Sequence, residues 1–366
     1  MVNIYNLNTD KIESIVFEIL KPFEASLNKK EVLIKPNLLG AYDPEHGATT
    51  HPEVVKHIYQ QLKMFGANPI GGDSPGGTVT DFEFAASISG LKPACEGNFI
   101  SLTREVTEVK LPANKKIPSI FISQIFKNAP FIINIPKMKT HTLTTITGAI
   151  KNLYGIIPGS LKLKLHSEAP SIEEFSSLLI DILQIRPPDI NIMEAITAME
   201  GDGPAHGSIR KTNLILFSTN AVELDAIAAY MMGIEPRNVH HLRIANQRGL
   251  GEINPEKIKV TGNLFRIPSF KPPSTYKTFL ERTFNRFANI IALTPNINNN
   301  ICNQCGDCIK NCPKDAISMK EYPLINRIDC ISCFVCAENC PEGAIFIPRS
   351  IKDEFKSRIK RRMNLK

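Results

Sequence analysis

Residues 302–313 read C-N-Q-C-G-D-C-I-K-N-C-P, and residues 330–341 read C-I-S-C-F-V-C-A-E-N-C-P. Both runs follow C-x-x-C-x-x-C-x-x-x-C-P, a spacing that holds paired [4Fe-4S] clusters. The physical reason is reach. Three closely spaced thiolates wrap one face of an iron–sulfur cube, but the fourth cysteine of the same run is too near along the chain to meet the remaining corner. It ligates the other cube instead. Cys302, Cys305, Cys308 and Cys340 are therefore expected to hold one cluster, and Cys330, Cys333, Cys336 and Cys312 the second.

The two halves repeat beyond the ligands. Cys312-Pro313-Lys314-Asp315-Ala316-Ile317 matches Cys340-Pro341-Glu342-Gly343-Ala344-Ile345, so a small residue and an isoleucine follow each distal ligand and pack against its cube. A zinc site of paired C-x-x-C motifs needs four ligands, not eight in two interlocked sets. The spacing is that of bacterial two-cluster ferredoxins. The expectation is a small ferredoxin-like α+β domain over residues 296–348 with two [4Fe-4S] clusters. Cys95 is left over, carries no catalytic signature and reads as a buried or incidental thiol.

Thiolate-bound cubes belong in a reducing compartment. The start, Met1 to Asn6, lacks the basic and apolar regions of a secretion signal. No stretch approaches the roughly 18 to 20 uninterrupted apolar residues needed to span a bilayer. The expected location is cytoplasmic, with no transmembrane segment.

The chain has 366 residues, enough for two domains, and a formal net charge of +7. Nearly all of that excess sits in a basic tail, residues 349–366, with eight Lys and Arg against Asp353 and Glu354. Such a tail reads as a solvated end, or as a contact for an acidic redox partner, anionic lipid or nucleic acid.

Residues 1–262 alternate short apolar strands with amphipathic helices, the pattern of an α/β domain with a largely parallel sheet and flanking helices. Strands are expected at Glu31 to Pro36, around Ile70, at Pro130 to Pro136, at Asp189 to Met193 and at Thr212 to Phe217. Helices are expected at Ile12 to Leu27, Pro52 to Phe65, around Phe82 to Ile88, and at Ser171 to Ile185, Ala221 to Met232 and His240 to Arg248. Residues 263–295 form an interdomain segment. Its helix presents Tyr276, Phe279, Leu280, Phe284, Phe287 and Ile291 along one stripe among Lys277, Arg282 and Arg286, read as docking onto the protein itself rather than lying on a membrane surface.

In parallel α/β sheets ligands bind outside the carboxyl ends of the strands. Lys35 and Asn37 follow the first predicted strand; Gly72, Asp73, Ser74, Gly76 and Gly77 follow the segment around Ile70. Lys137, Lys139 and His141 follow the strand at Phe131, with Lys151 and Asn152 beyond. Asp202 and His206 lie past the strand at Ile190. Glycines there let backbone N–H groups approach an anion, and the lysines add charge suited to phosphate or carboxylate. Asp73, Asp202, His141 and His206 are the candidates for proton transfer or a metal. His57 and the pair His240-His241 read as structural.

The runs Val32-Leu33-Ile34-Lys35-Pro36-Asn37, Thr49-Thr50-His51-Pro52, Gly72-Asp73-Ser74-Pro75-Gly76, Pro136-Lys137-Met138-Lys139-Thr140-His141, Gly148 to Gly155 and Met199-Glu200-Gly201-Asp202-Gly203-Pro204 together resemble the family catalogued as domain of unknown function 362. The resemblance covers Glu31 to Gly251 plus the cysteine runs. It implies an α/β domain joined to a two-cluster ferredoxin module and brings no reaction with it.

Two cubes in one module pass single electrons, and fusion to a pocket-bearing domain suggests that they are used there. The leading reading is an iron–sulfur redox protein or oxidoreductase acting on an anionic small molecule or cofactor precursor. Lys35, Asn37, Gly72, Ser74, Gly76, Lys137, Lys139, Lys151 and Asn152 would bind it, while His141, His206, Asp73 and Asp202 would move protons. A redox partner protein is expected. One alternative is an electron carrier or scaffold that docks a partner enzyme. Another is an RNA-binding or RNA-modifying protein, but the aromatic RNA-recognition pattern is missing and a nucleic-acid partner is not expected. Radical S-adenosylmethionine chemistry needs a C-x-x-x-C-x-x-C triad, and every cysteine but Cys95 is already assigned.

Overall fold

The computed structural model describes residues 1–76, 79, 81–276 and 293–347. Along the chain, β1 (Val2–Asn6), β2 (Glu31–Pro36), β3 (Asn68–Asp73) and β4 (Phe99–Ser101) precede a hairpin of β5 (Val106–Lys110) and β6 (Ser119–Ser123). Then come β7 (Phe131–Ile135), β8 (Lys137–His141), β9 (Thr145–Ile146), β10 (Ile190–Glu200), β11 (Ser208–Ser218) and β12 (Val260–Thr261). Except for β5 and β6, these form one sheet in the order β12-β1-β11-β10-β7-β2-β3-β4, with β8 beside β10 and β9 beside β8. The run β4-β3-β2-β7-β10 is parallel throughout.

Side chains of a strand alternate between its two faces, and the central strands use both. Val32 and Ile34 of β2, Phe131, Ile133 and Ile135 of β7, and Ile190 and Ile192 of β10 enter one apolar core. Leu33, Ile132 and Met193 from the same strands enter the other. Helices Ile12–Leu20, Pro52–Met64 and Phe82–Ile88 bury their apolar stripes in the first core. Helices Ile172–Ile185, Ala221–Met231 and His240–Gln247 bury theirs in the second. The α/β class with a largely parallel sheet is therefore as the periodicity implied.

Local signals place the helix starts. Pro52 opens its helix behind His51, whose side chain accepts the Glu53 N–H. Ser171 and Glu174 form a reciprocal capping box. The helix expected over Ile12 to Leu27 is broken by a 3₁₀ turn at Lys21–Phe23, because Pro22 cannot continue the hydrogen-bond ladder.

From β2 the chain moves outward through β3 to β4, then returns to lay β7 on the other side of β2 and continues to β10. The boundary between β2 and β7 is thus a topological switch point, where ligands enter parallel sheets at the strand carboxyl ends.

Two expectations change here. Lys137 to His141, read as a strand-end loop, is the strand β8, which pairs with β10 after Pro136 interrupts the run from β7. The strand expected over Asp189 to Met193 runs on through Glu194 to Glu200 as β10 and turns back antiparallel as β11. Both departures have one cause: each extension supplies backbone partners for the other, a long-range pairing that local apolar runs do not encode.

The cysteine-bearing segment contributes β13 (Asn296–Ile297), β14 (Ile317–Met319), β15 (Pro323–Ile325) and β16 (Ile345–Phe346), with β13 antiparallel to β16 and β14 to β15. Its own core contains Ile317, Ile325, Ala344 and Ile345 with Cys308, Cys336 and Cys340. Leu293, Phe334 and Ile347 instead join the second core of the large sheet, so the module is seated on the α/β body.

The segment after Gly262 also lies on that body. Ile267 and Phe270 are buried in its core, Ser274 N–H donates to Asp202 Oδ1 at 2.7 Å, and Thr275 Oγ1 donates to the Thr142 carbonyl at 2.6 Å. The Tyr276 hydroxyl accepts the Glu235 N–H at 3.2 Å. The rest of the apolar stripe, from Phe279 to Ile291, and the basic tail lie outside the described residues. Among the described residues no helix is long and apolar enough to cross a membrane.

Candidate functional site

Each predicted set of four cysteines surrounds its own hollow. Cys302, Cys305, Cys308 and Cys340 line one, together with Ile297, Ala344 and Ile345. Cys312, Cys330, Cys333 and Cys336 line the other, together with Ala316, Ile317 and Ile325. The small residue and isoleucine of each repeat thus stand in a cluster wall. Among the described residues no three His, Cys, Asp or Glu side chains converge on a point that suits one metal ion.

The donor chemistry also fits. The Ala316 N–H donates to Cys312 Sγ at 3.2 Å, and the Ala344 N–H to Cys340 Sγ at 3.3 Å. Such N–H···S bonds stabilise thiolate charge and tune a cluster's potential. Burial above all, and then the neighbouring thiols, push Cys308 up to about 11. Burial likewise leads in pushing Cys333 up to about 12. Bound iron is the charge that favours the thiolates.

The second site is a cavity of about 470 Å³ where the strand ends meet the cysteine module. Asn37, Asp73, Ser74, Gly76, Lys139, Lys151 and Asn152, all singled out from the sequence, line it. Across from them stand Asp307, Val335, Glu338, Asn339, Cys340 and Pro341 of the cysteine module. Cys340 therefore belongs both to a cluster hollow and to the cavity wall.

Lys35 and Lys137 are placed differently. Both are fully buried outside the cavity lining, each in a closed ion pair. Lys35 Nζ lies 2.8 Å from Asp73 Oδ1, whose carboxylate also accepts the N–H groups of Ser74 (2.8 Å) and Leu38 (2.7 Å). Burial pulls Lys35 below the usual lysine range, and Asp73 pulls it back up. Lys137 Nζ lies 2.6 Å from Glu194 Oε2 and donates to Thr197 Oγ1 at 3.0 Å. Glu194 in turn accepts the N–H groups of His51 (3.0 Å) and Ile196 (2.7 Å). These lysines hold the strand ends together.

Gly155 explains part of the Gly148-to-Gly155 motif. A Cβ there would lie 2.2 Å from Asp73 Oδ1 and 2.7 Å from Lys35 Nζ, so only glycine lets the turn after Asn152 close over the pair. At the other end Asp225 accepts the Ala149 and Ile150 N–H groups at 2.6 and 2.9 Å, and burial pushes its carboxyl up to about 7. Asn152 Nδ2 donates to Asn134 Oδ1 at 2.7 Å and reaches the Lys35 and Pro36 carbonyls at 3.4 Å, directly at the switch point.

The cavity lysines are held differently. Lys139 Nζ donates to the Ala48 carbonyl at 2.6 Å. Lys162, missed in the sequence reading, donates to the Ser74 carbonyl and to that of Pro75 at 3.0 Å. Among the described residues, no carboxylate forms an ion pair with Lys139, Lys151 or Lys162. Burial lowers all three. Lys151 and Lys137 push Lys139 down further, and Lys162 comes to about 7. Asn37 Oδ1, Thr147 Oγ1 and Asn152 Oδ1, also from residues of the cavity wall, are buried without a hydrogen-bond partner.

His141 stands behind this wall, fully buried. Its Nδ1 accepts the N–H groups of Leu143 (3.1 Å) and Thr144 (3.4 Å), which puts the ring proton on Nε2. Nε2 lies 3.2 Å from Glu338 Oε1, without a well-aligned hydrogen bond. Burial first, then Lys151 and Lys139, hold His141 well below the ordinary histidine range, so it meets Glu338 as a neutral ring. Burial pushes Glu338 up, against the pull of Lys151 and Lys139.

His206, Asp202 and Gly72 are elsewhere. His206 packs on the turn at Gly343 and hydrogen-bonds the backbone of Cys340. Asp202 anchors Ser274. Gly72 is inside β3, where a Cβ would meet Leu102 and the Ile100 carbonyl, so close strand packing accounts for it. Gly77 lies outside the described residues.

Sequence reasoning missed Glu338 and Lys162. Glu338 sits among cluster ligands in the chain, and nothing local says that it points into another unit. Lys162 lies in L-K-L-K-L, whose alternation masks the helix Gly159–Glu168.

The family model described as "Domain of unknown function (DUF362)" matches residues 32–230, and that described as "4Fe-4S dicluster domain" matches residues 301–345. The "Thylakoid-associated protein sll1697" of Synechocystis sp. is 30% identical over 231 residues, 63% of this chain and 70% of that protein. Among solved structures, the lactate racemase apoprotein from Thermoanaerobacterium thermosaccharolyticum superposes with a TM-score of 0.43 at 14% identity. The match covers 64% of this chain and 57%, less than two thirds, of that one. The dicluster match and the eight cysteines identify an iron–sulfur protein with two [4Fe-4S] clusters. None of these matches favours the scaffold or RNA reading.

Proposed function

The chain belongs to the DUF362 family, and from that footing we propose that it relays single electrons between its clusters and an anionic small molecule bound in the cavity at the strand ends. The observation that carries this reading is the shared wall, with Cys340 lining both a cluster hollow and a cavity whose wall lysines form no ion pair with a carboxylate among the described residues. A buried cation without a counter-charge is costly, and a bound anion removes that cost.

The clusters would supply one-electron chemistry at the cavity edge. Lys139, Lys151 and Lys162 hold the anion, and the unpartnered oxygens of Asn37, Thr147 and Asn152 orient it by accepting from an O–H or N–H of the same molecule. The neutral His141 holds its Nε2–H toward Glu338 and so positions that side chain at the cavity wall. Tyr154, whose hydroxyl donates to the Lys162 carbonyl at 2.8 Å, fixes the helix that carries Lys162. Lys35 and Lys137 keep the strand ends in register. The electron donor is a separate redox protein.

The test uses anaerobic, cluster-loaded protein titrated with inorganic phosphate while the cluster potentials are followed. An anion beside the Cys340 wall should make one potential more negative by roughly tens of millivolts. Lys151→Met should abolish the shift. Potentials indifferent to saturating phosphate would count against the reading.

A further inference from the structure

A row of buried amides crosses the sheet and ends at the cavity wall. Asn191 of β10 lies opposite Ser218 of β11 on one side and Asn134 of β7 on the other. Asn191 and Asn134 are fully buried and stand behind the cavity lining, whereas Asn152, which closes the helix Gly148–Asn152, is part of it. Asn191 Nδ2 donates to the Ser218 carbonyl at 3.4 Å, Asn134 Nδ2 to Asn191 Oδ1 at 2.9 Å, and Asn152 Nδ2 to Asn134 Oδ1 at 2.7 Å. Asn134 Nδ2 also reaches the Ala149 carbonyl at 3.1 Å.

Backbone carbonyls fix the direction of this row. A carbonyl only accepts, so Ser218 and Ala149 hold the amino arms of Asn191 and Asn134 toward themselves and leave each amide oxygen to the next donor. The Lys35 and Pro36 carbonyls, each 3.4 Å from Asn152 Nδ2, do the same for the last amide. Turning Asn152 over would set its oxygen against Asn134 Oδ1 and both of those carbonyls at once. Its Oδ1 is therefore an acceptor, held rigidly by a satisfied network, and it is buried without a donor of its own.

Building on the anion-binding reading above, we propose that Asn134 and Asn191 are positioning residues that present Asn152 Oδ1 as a fixed acceptor, so that the cavity selects an oxyanion keeping an O–H of its own over one that is fully deprotonated. An O–H donated to Asn152 satisfies the bare amide oxygen while the lysines meet the other oxygens of the anion. A fully deprotonated oxyanion offers that amide oxygen only lone pairs. A site built around a buried hydrogen-bonding group rejects an analogue that cannot pair with it, because the group then stays unsatisfied. Asn134 and Asn191 act from behind the wall, by removing the amide flip through which Asn152 could accommodate the wrong anion.

Phosphate and sulfate are tetrahedral oxyanions of nearly the same size, and near neutral pH only phosphate keeps a proton. Calorimetry on anaerobic, cluster-loaded protein compares them, with iron content checked for each variant. The wild type should bind phosphate at least tenfold more tightly than sulfate. Asn152→Leu should bring the two affinities together. Asn134→Leu should lower their ratio at least threefold, and Asn134→Ala, which overpacks nothing, takes its place if that protein does not fold. Asn134→Asp keeps an oxygen facing Asn152 Nδ2 and should retain the ratio even where both affinities change. A merely structural role for Asn134 would weaken both anions alike, so an unmoved ratio in Asn134→Leu or Asn134→Ala, or one lost equally in Asn134→Asp, overturns the positioning role. An unmoved ratio in Asn152→Leu overturns Asn152 as the acceptor. Phosphate no tighter than sulfate in the wild type overturns the selection and leaves the anion pocket standing, whereas a wild type that binds neither takes the anion-pocket reading down as well.

Discussion

Replacing Lys137 by methionine separates a lysine that builds the site from one that serves it. Lys137 Nζ sits 2.6 Å from Glu194 Oε2 with both side chains fully buried. Methionine fills much of the space but leaves the Glu194 carboxylate without its cation, still held by the His51 and Ile196 N–H groups. Breaking a buried pair on one side costs about 3–5 kcal/mol. At about 2–4 °C per kcal/mol for a body of this size, the melting temperature should fall by roughly 6–20 °C. Adding Glu194→Gln removes the stranded charge while keeping an acceptor, and should recover at least half of the loss. Thermal unfolding by circular dichroism, with phosphate affinity measured in parallel, decides the matter. Lys137→Met should change affinity little, whereas Lys151→Met should weaken phosphate at least tenfold and shift stability by less than about 1 kcal/mol. A Lys137→Met protein as stable as the wild type but deficient in phosphate binding would refute the assignment of Lys137 to Glu194.

Lys162, brought to about 7 by burial, gives a pH dependence whose sign is fixed. Only the ammonium form attracts an anion, so affinity for sulfate, whose own charge is constant across this range, should fall as pH rises through 7; Lys162→Met should flatten that part of the profile. Gly155→Ala puts a Cβ 2.2 Å from Asp73 Oδ1, and prying that buried pair apart should cost about 3 kcal/mol or more in denaturant unfolding. Cys340→Ala and Cys302→Ala should perturb the same cluster in electron paramagnetic resonance, although 38 residues separate them in the chain. Cys312→Ala should instead group with Cys333→Ala, and the opposite grouping would reverse the ligand sets.

The cysteine runs were legible because their chemistry is carried by spacing. Two interlocked sets of four come from how far a loop can reach, and the structure rings two hollows with those sets. The α/β class was legible for a similar reason, since apolar alternation in residues such as Val32, Leu33 and Ile34 reports strands buried on both faces. Asn37, Asp73, Ser74, Lys139, Lys151 and Asn152 are recognisable as polar residues at or beyond strand carboxyl ends, and all of them line one cavity. The same criterion also gathers Lys35 and Lys137, because a strand-end lysine looks the same in sequence whether its charge faces a ligand or a buried carboxylate.

By itself, then, the sequence determined two [4Fe-4S] clusters, the eight cysteines expected to hold them, and a parallel sheet with polar strand ends. Only tertiary structure decided which lysines were matched by Asp73 and Glu194 and which line the cavity without an ion-paired carboxylate among the described residues, because partners 38 and 57 residues apart meet through sheet order rather than local pattern. It alone brought Glu338 and Cys340 against the strand ends, since packing one unit on another depends on surface shape and leaves no periodic trace in either segment.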